Sequence, residues 1–393
     1  MFSRSLYKVL EKHLGKPQIT VIVGMRRVGK STALKHLFNS IKHTNKLYID
    51  LEKIEWRNLF FTPSYDDIKT ALELEGIDFE NPCVIALDEI QLVPNITSII
   101  KYYYDTYKIK FLVTGSSSFY LKNRFTESLA GRKRIFEMFP LNFEEYLNFR
   151  QHSNPSINKH KNKLIKEPVY RKYKDAYEDY LQYGGYPEVV LAENKEDKLS
   201  YLSDVINSYI SLDILLLSDF QASHDLYRLL QLLSNRIGSK VDVSKISSRL
   251  GLDRRKVTDY IELLEYTYII HLIRPYSKSK DVEISKARKL YFADTGLIHA
   301  FNPNCPTGAV FENKICNQLI SSGHTVNYYQ KKSGQEIDFI LNESTAIEVK
   351  ETPTLSDYKK LKRRAESLGM AEYYLVGRYW GQGFGEYRWG GVE

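Results

Sequence analysis

The sequence predicts an α/β fold whose core is a doubly wound parallel sheet, and three observations carry that prediction. Apolar runs without alternation, such as Ile19-Thr20-Val21-Ile22-Val23 and Cys83-Val84-Ile85-Ala86-Leu87, suit strands buried on both faces. The first run passes through a glycine-containing loop, Gly24–Ser31, directly into the helical pattern Ala33-Leu34-Lys35-His36-Leu37-Phe38. The second run ends in Asp88 and Glu89, and the carboxyl ends of strands are where an open α/β sheet gathers its chemistry.

The loop reads G-x-x-x-x-G-K-S in strand–loop–helix context. Gly24 and Gly29 let the backbone curl so that successive N–H groups face an anion, and the positive end of the next helix adds to that field. Gly24, Met25, Arg26, Arg27, Val28, Gly29, Lys30, Ser31 and Thr32 are therefore the expected nucleotide-binding stretch. Lys30 is expected to reach the β- and γ-phosphates, and the Ser31 hydroxyl to hold Mg²⁺. Asp88 is expected to bind that ion through its water shell and Glu89 to orient and deprotonate the attacking water, both from a strand adjacent to the loop.

Length and composition bound the rest. A chain of 393 residues exceeds one ordinary core and points to roughly two to four domains. Three cysteines without paired spacing exclude a disulfide framework or a cysteine metal site and point to a reducing interior. The first residues lack the apolar core of a signal peptide and no run is long enough to span a bilayer, so a cytoplasmic location is expected. A formal charge of +8 favours a polyanionic partner, nucleic acid among them.

Taken in order, residues 2–14 read as an amphipathic helix, Lys46–Leu51 as a second strand, Asp66–Leu74 as helix and 83–89 as the third strand. A fourth strand, Lys110–Gly115, runs into Ser116-Ser117-Ser118, where a hydroxyl either senses the γ-phosphate or caps the helix starting near Phe119. A helix to Leu129 leads through Ala130-Gly131-Arg132-Lys133-Arg134 to a fifth strand, Ile135–Met138. From Phe139 the pattern is helical, with a polar connector over Ser153–Lys166 and a sharp break at Gly184-Gly185-Tyr186-Pro187.

These tracts resemble a known family. Gly24–Thr32, Leu87-Asp88-Glu89-Ile90-Gln91, Thr114-Gly115-Ser116-Ser117, Ala130-Gly131-Arg132 and Phe139-Pro140-Leu141-Asn142-Phe143-Glu144-Glu145-Tyr146 are similar to the archaeal and bacterial AAA-type P-loop ATPases that carry a DUF4143 C-terminal region. The resemblance implies ATP as the nucleotide, a helical lid over residues 139–219, and Ser116 or Ser117 as the sensor position. It also implies Arg132 as an arginine finger acting on a neighbouring subunit of a homo-oligomer. The absence of an Asn-Lys-x-Asp tract at a strand end agrees with ATP over GTP.

Residues 226–277 carry a helix, a short helix Val243–Leu250, the turn Gly251-Leu252, and a second helix from Arg254 with Asp253 as its cap. That is helix–turn–helix spacing, with Val257, Ile261 and Leu264 inward and the strand Tyr268–Ile273 completing a winged helix. Arg254, Arg255 and Lys256 open the second helix, placed for DNA phosphates or base edges. The tract Ala287–Leu297 again resembles DUF4143. A helix with Glu312 precedes two strands carrying Asp338 and Glu348-Val349-Lys350, which resemble the restriction-endonuclease-like PD-(D/E)xK fold, with Ile337 in place of the usual proline. The resemblance implies Glu312, Asp338 and Glu348 as metal ligands and Lys350 as the group that activates a metal-bound water. In a strand, Glu348 and Lys350 share one face. A basic helix, Leu355–Ser367, follows.

The expected organisation is thus an AAA-type P-loop core over 1–138, a helical lid over 139–219, a winged-helix domain over 220–305 and a nuclease-like α/β domain over 306–393. Three functional readings stay open: a Mg-dependent ATPase acting on DNA, a nucleotide-gated scaffold with structural C-terminal acids, and an ATP-licensed metal-dependent nuclease.

Overall fold

The computed structural model describes residues 2–62, 64–115, 129–151, 157–214, 221–277, 279, 281, 283, 286–331, 333–381 and 383–393. The chain forms two compact units, one of Met1–Phe139 with Tyr266–Tyr268, the other of Pro140–Glu265 with Ile269–Glu393.

In the first unit, β1 (Ile19–Gly24), β2 (Lys46–Asp50), β3 (Val84–Asp88), β4 (Lys110–Gly115) and β5 (Lys133–Met138) form one sheet in the order β2-β3-β4-β1-β5. Every pairing is parallel. All six residues of β1 and all five of β3 are buried, as unalternated apolar runs require. Helix Ser5–Leu14 precedes β1, and helices Lys30–Ser40, Ile54–Phe61, Tyr65–Leu74 and Ile96–Tyr107 lie between successive strands. The acids do not stand on the neighbour of the loop strand, because β4 lies between β1 and β3. The expected helix from Phe119 and the serines 116–118 lie outside the described residues.

In the second unit, a seven-stranded mixed sheet runs β12-β11-β10-β9-β8-β6-β7. Its strands are β6 (Ile270–Pro275), β7 (Lys289–Phe292), β8 (Val326–Gln330), β9 (Glu336–Leu341), β10 (Thr345–Lys350), β11 (Glu372–Gly377) and β12 (Arg388–Trp389). The strand expected as the wing, β6, pairs in parallel with β8, so the expected boundary at 305/306 crosses a continuous sheet. The break at Gly184-Gly185 has a packing cause. The fully buried Asp294 carboxylate accepts the N–H groups of Gly185 and Gly296, each at 2.8 Å. Gly184 has φ +79, and a Cβ there would stand 1.8 Å from Asp294 Oδ1.

Candidate functional site: a phosphate loop facing two acids

The loop between β1 and the helix Lys30–Ser40 is held in a curl by positive-φ residues, Gly24 at 146°, Arg27 at 58° and Gly29 at 96°. At Gly24 the demand is also steric, since an added Cβ would lie 2.1 Å from the Met138 carbonyl oxygen of β5. Gly29, left-handed, begins the helix and no side chain caps it, leaving its first N–H groups directed at the loop. Lys30 is buried, and its ammonium donates to the Met25 carbonyl at 2.7 Å inside the same loop.

Opposite stands Asp88, the last residue of β3 and buried. The Ser31 hydroxyl donates to its Oδ1 at 3.1 Å, which brings the loop and the acid together across the intervening β4. Two further groups, neither of them expected as a site residue, hold the same carboxylate: the Tyr48 phenol donates to Oδ2 at 2.6 Å and the Thr114 hydroxyl to Oδ1. Thr114 Oγ1 also accepts the Glu89 N–H at 3.1 Å, so one hydroxyl at the end of β4 links both acids. Ser116, the expected sensor, lies outside the described residues.

Glu89 is just beyond the strand in the left-handed region, φ 56, and its carboxylate accepts from the Gln91 amide. Asp50 is in register with Asp88, and Glu52 follows it. Burial, then the negative charges of Glu89, Asp50 and Asp88, push the Glu52 carboxyl above the usual range, and Arg26 pulls it back. Burial first, then the bond to Asp88, raises the Tyr48 phenol. The site therefore concentrates negative charge opposite a cationic loop. A hydroxyl and a carboxylate meeting at 3.1 Å are hard oxygen donors of the kind Mg²⁺ takes, and Ser31 and Asp88 would hold it.

Arg132 lies at the other end of the sheet. Its carbonyl accepts the Ile19 N–H at 2.8 Å, whereas Gly24 is in register with Met138, so about 20 Å of strand separates it from the loop of its own chain. Its guanidinium donates to Asp105 at 2.7 Å.

The second unit contains the expected pair of helices, Val243–Leu250 and Arg254–Tyr266, joined through left-handed Gly251. Val257, Ile261 and Leu264 are buried and Arg254 and Arg255 exposed. Lys256 differs from the expectation: its ammonium is tied to Asp225 at 2.9 Å.

Asp338 on β9 and Glu348 and Lys350 on β10 do come together, as the strand pairing implies. Lys350 Nζ is 2.9 Å from Glu348 and 3.8 Å from Asp338, and the Val349 N–H donates to Asp338 Oδ2 at 2.8 Å. Glu312 is engaged by the Tyr291 hydroxyl at 2.7 Å, with Lys289 at 3.9 Å. Glu312, Asp338 and Glu348 lie near one another: burial first, then the negative charge of Asp338, push the Glu312 and Glu348 carboxyls up to about 7, and Glu348 Oε2 is buried without a hydrogen-bond partner. Among the described residues no three His, Cys, Asp or Glu side chains form a group that could hold a metal. No metal step is therefore derived for this unit.

Comparison with known proteins matches three successive segments of the chain. Residues 16–147 match the AAA_14 family, described as an AAA domain, residues 174–306 match DUF8612 and residues 307–382 match DUF4143, the last two described as domains of unknown function. The tract Ala287–Leu297, expected to be DUF4143, thus falls in the middle match. An uncharacterized protein of Methanocaldococcus jannaschii is 26% identical over 333 residues, 82% of this chain and 72% of that one. One of Haemophilus influenzae is 26% identical over 344 residues, covering 84% and 80%. Among solved structures, a signal-transduction ATPase with a tetratricopeptide repeat sensor from Pyrococcus horikoshii is similar at TM-score 0.30 and 14% identity. That likeness covers 82% of this chain, which spans only 45% of the other. RuvB from Thermotoga maritima is similar at TM-score 0.31 and 15% identity, covering 69% and 89%. Residues 16–147, a phosphate loop on a five-stranded parallel sheet, are an AAA domain, and residues 307–382 of the same chain are a DUF4143 region.

Proposed function

We propose that the chain binds and hydrolyses ATP with Mg²⁺ in its first unit and couples turnover to DNA held by the helix–turn–helix of its second. The observation that carries this reading is the meeting of Ser31 with Asp88 opposite the buried Lys30. The curled N–H groups of Gly24–Thr32 bind the phosphates, Lys30 leaves the Met25 carbonyl for the β- and γ-oxygens, and Glu89 takes the proton of the attacking water. Bound Mg²⁺ supplies neutralisation of the charge that develops on those oxygens. Ser116 or Ser117 reads the γ-phosphate, and Arg132 acts in trans in a homo-oligomer. The division into core (1–138), lid (139–219), winged helix (220–305) and nuclease-like domain (306–393) assigns coupling to the lid.

The test is ATP turnover with and without duplex DNA. Lys30→Ala is expected to abolish nucleotide affinity, and Glu89→Gln to keep binding while trapping ATP. Turnover at the wild-type rate in Lys30→Ala refutes the reading. DNA affinity measured across salt should show a slope that shrinks by about 2 in Arg254→Ala/Arg255→Ala, since each phosphate contact contributes about 1. Binding without any salt dependence favours the nucleotide-gated scaffold.

A further inference from the structure

We infer that Tyr268, in the short segment that follows the helix–turn–helix, is a positioning residue for the phosphate loop. It holds the strand end against which the loop is braced, and so links the loop to the second helix of the pair. The inference rests on the reading above for what the two ends bind.

The chain leaves the second unit after Glu265 and re-enters it at Ile269, and the three residues between, Tyr266–Tyr268, belong to the first unit. They directly continue helix Arg254–Tyr266 and run into β6, which begins at Ile270. Thr267 and Tyr268 are buried. Tyr268 is left-handed at φ 62, a conformation that a bulky residue keeps only where its surroundings impose it. On one side the Ile269 N–H donates to the Leu264 carbonyl and the Ile269 carbonyl accepts the Ala293 N–H, each at 2.9 Å. On the other, the Tyr268 hydroxyl donates to Glu137 Oε1 at 2.9 Å.

Glu137 lies on β5, and the two residues after it bear on the phosphate loop. Met138 is in register with Gly24, and its carbonyl oxygen is the atom that a Cβ on Gly24 would meet at 2.1 Å. Its methyl would stand 3.7 Å from a Cβ on Gly29. Arg4, buried, forks between loop and strand end: one guanidinium nitrogen donates to the Val28 carbonyl at 3.0 Å and another to the Phe139 carbonyl at 2.8 Å. Loop residues 24, 28 and 29 thus bear on 138 and 139. A charge-assisted hydrogen bond, stronger than one between neutral groups, ties the residue before them to Tyr268. A shift of the loop as it takes a triphosphate moves residues 137–139, and the Tyr268 hydroxyl passes that shift to the last turn of Arg254–Tyr266, a second route beside the lid. By linkage, DNA on that helix changes nucleotide affinity by the factor by which nucleotide changes DNA affinity.

The test uses the full chain without nucleotide or DNA and reads hydrogen exchange of peptides spanning Gly24–Ser31, with β2 (Lys46–Asp50) as internal control. Tyr268→Phe keeps the ring and removes only the oxygen. Loop exchange is expected to rise by about threefold, within the range set by loss of one hydrogen bond, while β2 stays unchanged. Glu137→Ala should act alike, Glu137→Gln, whose amide oxygen still accepts, should stay at wild type, and Tyr268→Phe/Glu137→Ala should be no worse than either single variant. Should Tyr268→Phe not fold, the two Glu137 variants decide. Unchanged loop exchange in folded Tyr268→Phe overturns the proposal, and so does an equal rise in β2, the mark of general loosening. In a second arm, the factor by which duplex DNA changes the Kd of Mg-ATP should fall towards unity in Tyr268→Phe, and a factor kept at its wild-type value overturns the link to the helix. Wild type that binds neither Mg-ATP nor DNA refutes the reading above, and loop exchange then decides this inference alone.

Discussion

Thr114→Val tests whether one hydroxyl organises both acids of the phosphate site. Valine keeps the shape of threonine, so no cavity opens and the change is confined to the lost oxygen. Thr114 is fully buried, donates to Asp88 Oδ1 and accepts the Glu89 N–H at 3.1 Å. Loss of a hydrogen bond to a charged acceptor costs about 1.5–3 kcal/mol, and a backbone N–H left without its acceptor about 1–3 kcal/mol more. Ser31 and Tyr48 still hold Asp88 and absorb part of this, leaving about 3 kcal/mol. For a unit of this size that lowers the melting temperature by about 10 °C. Thr114→Ser keeps the hydroxyl and should lose less than about 1 kcal/mol, the value of a methyl. Differential scanning calorimetry reads the melt of the first unit, and an ATP assay reads turnover, expected to fall with Glu89 no longer anchored. A valine variant that melts within about 2 °C of wild type with unchanged turnover refutes the reasoning. So does a serine variant as damaged as the valine one.

Acid should destabilise the first unit through His13. Its ring is buried, bonded to Thr20 Oγ1 at 2.9 Å, and burial first, then Lys110, Arg134 and Lys16, push its pKa from 6.5 down to about 4. The unfolded chain takes the proton first, so the contribution is present above pH 6.5 and is lost as pH falls towards 4, by up to about 3 kcal/mol. His13→Gln should flatten a denaturation series over that window. Gly184→Ala should destabilise the second unit by several kcal/mol, because its Cβ would meet Asp294 Oδ1 at 1.8 Å with φ at +79. Circular dichroism melts check this, and a near-wild-type midpoint would remove the cradle as the reason for the glycine pair.

Much of the fold was legible because the signals were local. The strand–loop–helix of 19–40 needs only its own residues: β-branched burial, two glycines and a helical period. The turn at Gly251 and the inward face of Arg254–Tyr266 were readable in the same way. Helices Ile54–Phe61 and Ile96–Tyr107 and strand β8 were not anticipated; Ile54–Phe61 buries only Phe60 and so carries little helical period, whereas Ile96, Ile99, Ile100 and Tyr103 form a buried face whose spacing was readable. Tyr48 gave no sequence signal, and Thr114 stood in the family-like tract without a role of its own, because a lone hydroxyl on a strand is common and its partner lies on another strand.

The sequence alone determined the chemistry at the phosphate loop: which backbone curls, which lysine follows it and which acids end a buried run, all set within short stretches. Tertiary structure decided what those groups meet. Strand order put β4 between loop and acids, so Ser31 reaches Asp88 across it and Thr114 comes to join the two acids. Pairing of β6 with β8 built one sheet from segments that read as separate domains, and β7 brought Lys289 against Glu336. Neighbours across a sheet depend on strand order and register, which residues far apart in the chain fix jointly and no local pattern encodes.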